Sequence, residues 1–203
     1  MKTKFPRGDA LRVVRELLGH LEPAMGRVIV AGSLRRRKDA VGDIELLYIP
    51  RMIPGGAVDL FMQAQEVDMT ELPLERLLAA GVLTKRLNAK GSTMWGPKNK
   101  LATHVASGIP VDLFAATEEN WWSYLVCRTG SGEHNIRLAS AFQAKGEKWE
   151  PYGPGWKDRN GDQRRVGSEQ ELFAAAGLGY LEPWERDPIA CGTVPGWREG
   201  KKL

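Results

Sequence analysis

Val28–Ile49 runs VIVAGSLRRRKDAVGDIELLYI, and its order decides how the rest of the chain is read. An apolar, β-branched run enters Gly32-Ser33, a basic cluster Arg35-Arg36-Arg37-Lys38 follows, and Gly42 leads into Asp43-Ile44-Glu45-Leu46-Leu47. Val28–Ala31 is predicted as a buried strand, Ser33–Arg36 as a short helical turn, and Asp43–Ile49 as a second strand. Strand side chains alternate, so Asp43 and Glu45 share one face while Ile44 and Leu46 point into the core. Two carboxylates one pleat apart repel unless a cation or solvent intervenes. Two readings of the pair stay open: metal ligation at the start of a strand, or the outward polar positions of an exposed edge strand. The small residues at Gly32-Ser33 allow an anion to approach backbone N–H groups at a helix start. Apolar strand, glycine turn, cations and paired acids together suit a polyphosphate held beside a divalent metal.

Composition narrows the field. At 203 residues the chain has room for one substantial core or two small domains. Its hydrophobic share of 42% and charged share of 27% are ordinary for a soluble globular protein. No apolar run approaches the roughly 20 residues that span a bilayer, and the N-terminus lacks a signal peptide's apolar core. The expectation is a soluble, cytoplasmic or intracellular monomer with no membrane partner. A formal charge of +4 and a pI near 9.1 are compatible with polyanionic partners without requiring them. Cys127 and Cys191 suggest no disulfide framework, and His20, His104 and His134 have no zinc-ligand spacing. Any metal would be a hard cation held by oxygen.

Along the chain, residues 9–22 have helical apolar spacing at Leu11, Val14, Leu17, Leu18 and Leu21, with Asp9 as N-cap and Pro23 as terminator. Residues 50–56 are expected to be a loop, 57–63 a strand, and 72–80 a helix stopped by Gly81. Residues 82–88 and 101–106 pair as a hairpin across AKGSTMWGPKNK, and 109–115 forms a strand carrying Asp112. Helices are expected to begin at Trp121 and within TGSGEHNIRLASAFQAKG, the second with Ile136, Leu138, Ala141 and Phe142 close to helical spacing. A hairpin is expected from 148–152 and 163–166 across KDRNGDQ, and Ser168 with Glu171 forms a capping box. The tail from Tyr180 is proline- and glycine-rich. The fold class is α/β (α+β) with a mixed sheet, and the domain boundary falls near 117.

Gly32-Ser33, nine residues, Asp43-Ile44-Glu45 and a later strand acid resemble the nucleotidyltransferase superfamily signature. Gly108-Ile-Pro-Val-Asp112 followed by Thr129-Gly130-Ser131…Asn135, with Arg35-Arg36 after Gly-Ser and EQELFAAAGLGYLEPWERD at 169–187, is similar to family X DNA polymerases of the polymerase-beta type. The resemblance spans nearly the whole chain. It implies a nucleotidyltransferase palm over 1–117 and a small α+β thumb over 118–203. It further implies a DNA polymerase adding deoxynucleotides to a primer 3′-hydroxyl, in repair or gap filling. Asp43, Glu45 and Asp112 would be catalytic ligands of two Mg²⁺ ions, with Mn²⁺ as substitute. Such a pair, about 3.5–4 Å apart, neutralises a triphosphate and activates the hydroxyl. Ser33 and Arg36 would hold phosphates, Gly32 and Gly42 supply close backbone, and Thr129, Gly130 and Asn135 line the nucleotide pocket.

Departures from the family pattern are local. Glu45 stands where these polymerases usually carry aspartate, although the wider superfamily accepts glutamate. Cys127-Arg128 replaces an aromatic pair that helps exclude ribonucleotides, placing both at the nucleotide pocket wall. The resemblance includes no lyase domain and no helix-hairpin-helix fingers, so no deoxyribose-phosphate lyase activity is expected. Val58-Asp59-Leu60-Phe61 duplicates Val111-Asp112-Leu113-Phe114, and Asp112 is preferred as third acid because Gly-Ile-Pro precedes it. Arg35–Lys38 are expected to face phosphate. Lys85, Arg86, Lys90, Lys98, Lys100 and Arg137 are candidates to line a groove for primer-template or gapped duplex DNA, and Trp95 is a candidate for base stacking. Two alternatives remain: a template-independent nucleotidyltransferase acting on RNA, protein or a small molecule, and a catalytically weak DNA-binding protein of the same fold.

Overall fold

The computed structural model describes residues 3–58 and 64–187. Chain order in the first part is β1 (Phe5–Pro6), α1 (Arg7–Leu21), β2 (Met25–Val30), α2 (Gly32–Arg35), β3 (Ala40–Val41) and β4 (Ile44–Pro50). It continues with β5 (Met52–Val58), β6 (Ala64–Asp68), α3 (Glu71–Ala79), β7 (Leu83–Lys85), β8 (Asn99–His104) and β9 (Pro110–Ala115). Then come α4 (Trp121–Thr129), α5 (Gly132–Ala144), β10 (Lys148–Trp149), β11 (Gly155–Lys157), β12 (Gln163–Arg165) and α6 (Glu169–Ala176). The chain divides into two compact units, Met1–Val30 with Ala40–Ala116, and Ala31–Asp39 with Thr117–Leu203. The segment Ala31–Asp39, which sequence order would assign to the first domain, therefore groups with the second unit.

The first unit is built on a five-stranded mixed sheet of order β2-β4-β9-β8-β7. β4 runs antiparallel to β2 and parallel to β9, and the remaining pairs are antiparallel. β4 is internal, so the reading of Asp43 and Glu45 as polar positions on an exposed edge strand does not hold. Ile44, Leu46, Leu47 and Tyr48 are all buried, which means both faces of β4 are covered. α1 buries Ala10, Val13, Val14, Leu17 and Leu21. Asp9 does not cap it: the N-cap is Pro6, without a side-chain cap, and Asp9 in the first turn instead accepts from Arg12. Such a first-turn carboxylate still favours the helix dipole. Residues 52–56, expected as a loop, belong to β5, which pairs with β6. The expected strand at 57–63 and the duplicate acid Asp59 lie largely or wholly outside the described residues.

The second unit packs α4, α5 and α6 around Val126, Leu138, Phe142, Trp149, Leu172, Phe173 and Leu181. α5 turns Leu138 and Phe142 inward, whereas Ile136 is exposed. Ser131 caps α5 by accepting from the His134 N–H. Ser168 caps α6 by accepting from Glu171 N–H, but the Glu171 carboxylate reaches Gly167 N–H, one residue short of a reciprocal box. KDRNGDQ joins β11 to β12, and β10 adds a third strand, so the expected hairpin is a three-stranded meander.

Gly155 on β11 is a sharp local constraint. A Cβ there would meet the Arg164 carbonyl oxygen on β12 at 2.5 Å, with backbone on both sides of the contact. Gly155→Ala is expected to destabilise the chain by about 1–3 kcal/mol, whereas Gly132→Ala, which meets nothing within 4 Å, should be neutral or mildly stabilising. Urea unfolding of the two variants checks the contrast. Equal midpoints would remove the steric argument.

Candidate active site and its surroundings

Register places two of the expected acids side by side. On the parallel pair β4–β9, Glu45 lies opposite Asp112, and Asp43 stands two residues before Glu45 at the entrance to β4. In-register residues of neighbouring strands share a face and lie roughly 5 Å apart at Cα. All three acids are half-buried, and Gly42 is buried at the bend before them. Asp112 is engaged by Arg86, which follows β7 and donates through Nη2 to Asp112 Oδ1 and through Nε, at 3.4 Å, to the Ala102 carbonyl. Arg86, expected as a DNA contact, is thus the partner of the third acid.

These residues were tested for metal binding on their donors and grouping. The donors are oxygens, which suits Mg²⁺. Among the described residues, however, no three His, Cys, Asp or Glu side chains gather closely enough to hold a metal ion. With a guanidinium on Asp112, the three carboxylates do not form a ready-made cradle.

Apart from Gly42, the expected phosphate and nucleotide residues lie in the second unit. Gly32 is buried with φ of 60°, a left-handed conformation that glycine adopts without strain, and it opens α2. Ser33 Oγ is enclosed and finds no hydrogen-bond partner among the described residues, and buried polar atoms in this state are uncommon. The basic cluster is largely consumed internally. Arg35 donates to Glu169 through both Nη atoms, at 2.8 and 2.7 Å, and to Thr129 Oγ1 at 2.6 Å. Arg36 donates to the Thr129 and Gly130 carbonyls at 2.6 and 3.3 Å and to Asp187 at 3.2 Å. Arg37 stacks on Trp184, 3.7 Å from its ring centroid, and Lys38 pairs with Asp187 at 2.8 Å. The expectation that Arg35–Lys38 simply face phosphate is corrected: Arg35 is an internal ion-pair residue.

Thr129 is fully buried, and Gly130 has no room for a side chain, since a Cβ would meet His134 Nδ1 at 2.4 Å and Asn135 Oδ1 at 2.7 Å. Asn135 donates to the Cys127 carbonyl at 2.8 Å, tying α5 to the end of α4. Arg128 lies over the rings of Tyr124 and Tyr152, at 5.2 and 5.5 Å. Burial raises the Tyr124 pKa, with Arg128 opposing.

Sequence reasoning missed the brace that orders this unit. Glu169 accepts from Arg35 and, at 2.8 Å, from Arg186, whose side chain is fully buried. Burial pushes the Glu169 pKa up, but the hydrogen bonds and charges of Arg35 and Arg186 outweigh it and bring it to about 2. His134 is buried against Phe173 and lowered to about 4, by burial first and by Arg186 second. No local spacing signals contacts that span 134 and 17 residues: Glu169 and Glu171 both stand in the first turn of α6, and nothing local marks the first as the braced one.

Of the other basic candidates, Lys100 is corrected: its side chain is 1% exposed and pairs with Glu71 at 2.8 Å and the Gly96 carbonyl at 3.1 Å. Lys85, Lys90 and Lys98 are exposed, and Arg137 is half-buried on α5. Trp95 is half-buried beneath Lys85, whose ammonium lies 5.0 Å from the ring centroid.

The geometry defines a mixed α+β protein in which one unit carries in-register strand acids and the other a guanidinium-braced helical core. Residues 124–187 match the family model described as DNA polymerase beta thumb. Over 187 residues the chain is 28% identical to the DNA polymerase/3'-5' exonuclease PolX of Bacillus subtilis (strain 168), covering 91% of this chain and 29% of that protein. The chain is thus similar to a PolX polymerase along most of its own length and to the polymerase-beta thumb over residues 124–187. It spans less than a third of the length of that relative, and among the described residues no helix is long and apolar enough to cross a membrane.

Proposed function

We propose that this chain is a metal-dependent DNA polymerase that adds deoxynucleotides to a primer 3′-hydroxyl with release of pyrophosphate, acting on gapped or primed duplex in repair. The observation that carries the reading is the register of β4 on β9, with Glu45 opposite Asp112 and just after Asp43, in a chain whose residues 124–187 match a polymerase-beta thumb. Mg²⁺, with Mn²⁺ as substitute, would neutralise the triphosphate and acidify the attacking hydroxyl. On the protein side, Asp43, Glu45 and Asp112 are assigned as its oxygen ligands, which asks Arg86 to give up the Asp112 carboxylate. Ser33 Oγ and Arg36 are assigned to phosphate oxygens, the former supported by its lack of a hydrogen-bond partner among the described residues. Gly130 and Asn135 shape the α4–α5 corner for the nucleotide. Arg128, folded over the edge-to-face rings of Tyr124 and Tyr152, stands in place of the family's aromatic residues. Lys85, Lys90, Lys98 and Arg137 are assigned to DNA phosphates, giving salt-dependent, sequence-independent binding.

Primer extension on gapped DNA, with each deoxynucleotide supplied singly and Asp43→Ala as control, tests this reading. Template-dictated insertion that vanishes in the control supports it. Indiscriminate addition would replace it with template-independent transfer, and DNA binding without product would replace it with a binding role.

A further inference from the structure

Three consecutive cations grip one short segment of the second unit. Arg36 Nε and Lys38 Nζ converge on the two carboxylate oxygens of Asp187, at 3.2 and 2.8 Å. Arg37 lies over Trp184 between them in sequence, and its φ of 60° is the one left-handed backbone among described non-glycine residues. That conformation is costly for a side-chain-bearing residue, and here it accompanies a run in which every side chain contacts the 184–187 segment. The segment is also held from within, where the Ser131 hydroxyl donates to the Arg186 carbonyl at 2.9 Å and the Arg186 guanidinium is buried on Glu169.

The inner and outer anchors differ in character. The Arg186 side chain is enclosed, with Nη1 on the Glu169 carboxylate that Arg35 also holds. The Asp187 contact is partly open, with Lys38 46% exposed and the Arg36 and Asp187 side chains 14% and 16% exposed. A guanidinium and an ammonium converging on two oxygens of one anion make a general oxyanion site, which accepts phosphate oxygens as readily as carboxylate oxygens. Lys38 is the exposed arm of the contact, where an ion pair contributes little net stability, so a polyanion of higher charge competes with the Asp187 carboxylate for the two cations.

We propose that Arg36 and Lys38 form a polyphosphate subsite whose resident anion is the Asp187 carboxylate, making residues 182–187 a strap that the phosphate tail of a nucleoside triphosphate displaces. This rests on the reading of Arg36 as a phosphate contact, and adds Lys38 as a second cation and Asp187 as an internal competitor. The chemistry recognised is a chain of linked phosphates, so inorganic tripolyphosphate serves as the probe.

Isothermal titration of the full chain with tripolyphosphate, without metal, should show Asp187→Asn binding about tenfold tighter than wild type and Lys38→Gln about tenfold weaker, the effect of adding or removing one charge-assisted contact. Wild-type tryptophan fluorescence should change on titration, and Trp184→Phe should remove that change, a readout that does not depend on the Asp187 variant folding. Binding by wild type that Asp187→Asn leaves equal or weakens would overturn the strap while sparing the phosphate reading of Arg36. A fluorescence change that survives Trp184→Phe would do the same. Absence of binding by every variant would bring down the phosphate reading itself, and the strap with it.

Discussion

Glu169→Ala should cost the chain about 3–5 kcal/mol, the penalty for stranding buried charge when one member of an enclosed ion pair is removed. Two guanidiniums converge on this carboxylate, and the Arg186 side chain has no exposure to water. Deleting the carboxylate leaves that cation facing Phe173 and Tyr180, at 5.1 and 5.6 Å from their centroids, which offsets only part of a full charge. Glu169→Gln keeps the shape and removes the charge, so it should recover little of the loss. Urea unfolding of the whole chain measures both, and a shift below about 1 kcal/mol, as for an exposed pair, would mean the network is not the brace.

The same brace sets an acid sensitivity whose sign follows from the two pKa values. Glu169 is held at about 2 against an ordinary 4.5, so its contribution is complete above 4.5 and is lost as pH falls toward 2. His134 is depressed to about 4 from 6.5, so below 6.5 the unfolded chain takes up a proton that the folded one refuses, and stability already falls between 6.5 and 4. Each effect is on the order of 3 kcal/mol when fully expressed. Unfolding midpoints should decline in two stages on acidification, and Glu169→Ala should flatten the lower one.

On the proposed function, Asp112→Asn should lower nucleotidyl transfer by roughly a thousandfold or more, because it would remove one charged metal ligand and with it several kcal/mol of transition-state stabilisation. Asparagine keeps the side chain's size, so the sheet should persist and DNA affinity should change little. The substitution also unhooks Arg86, and Arg86→Gln separates the two consequences. If Asp112 serves chemistry, Arg86→Gln stays within about tenfold of wild type while Asp112→Asn does not. Equal losses would reduce Asp112 to the partner of Arg86. Asp59→Asn completes the comparison: near-full activity is expected, and its collapse beside an active Asp112→Asn would move the third acid to the duplicate motif.

Most of the first unit was legible because its cues are short in range. Alternation in Asp43–Leu47, the glycine before Pro110, and helical spacing from Leu11 to Leu21 each declare an element within a few residues. That β4 is internal was not legible, since strand order depends on which neighbours pair, and the paired acids fit an edge strand equally well. Within the second unit the capping serines were readable, whereas the fate of the cations was not. Arg35 and Arg86 carry the same charge as any groove-lining residue, and only long-range contacts show that each is occupied by a carboxylate of its own unit. Lys100 alternates like a surface position, yet Glu71 and a carbonyl let it be buried.

The membership of Ala31–Asp39 in the second unit bears on how such a protein can be dissected. The family match covers residues 124–187, but a polypeptide cut to that interval would lack Arg35, and Glu169 would keep only Arg186 of its two guanidiniums. A sequence-defined module and a folding-competent one therefore have different borders here. Exchanging the C-terminal part alone for that of a relative would part Glu169 from its own Arg35, so a transplant that keeps the brace has to carry residues 31–39 with it.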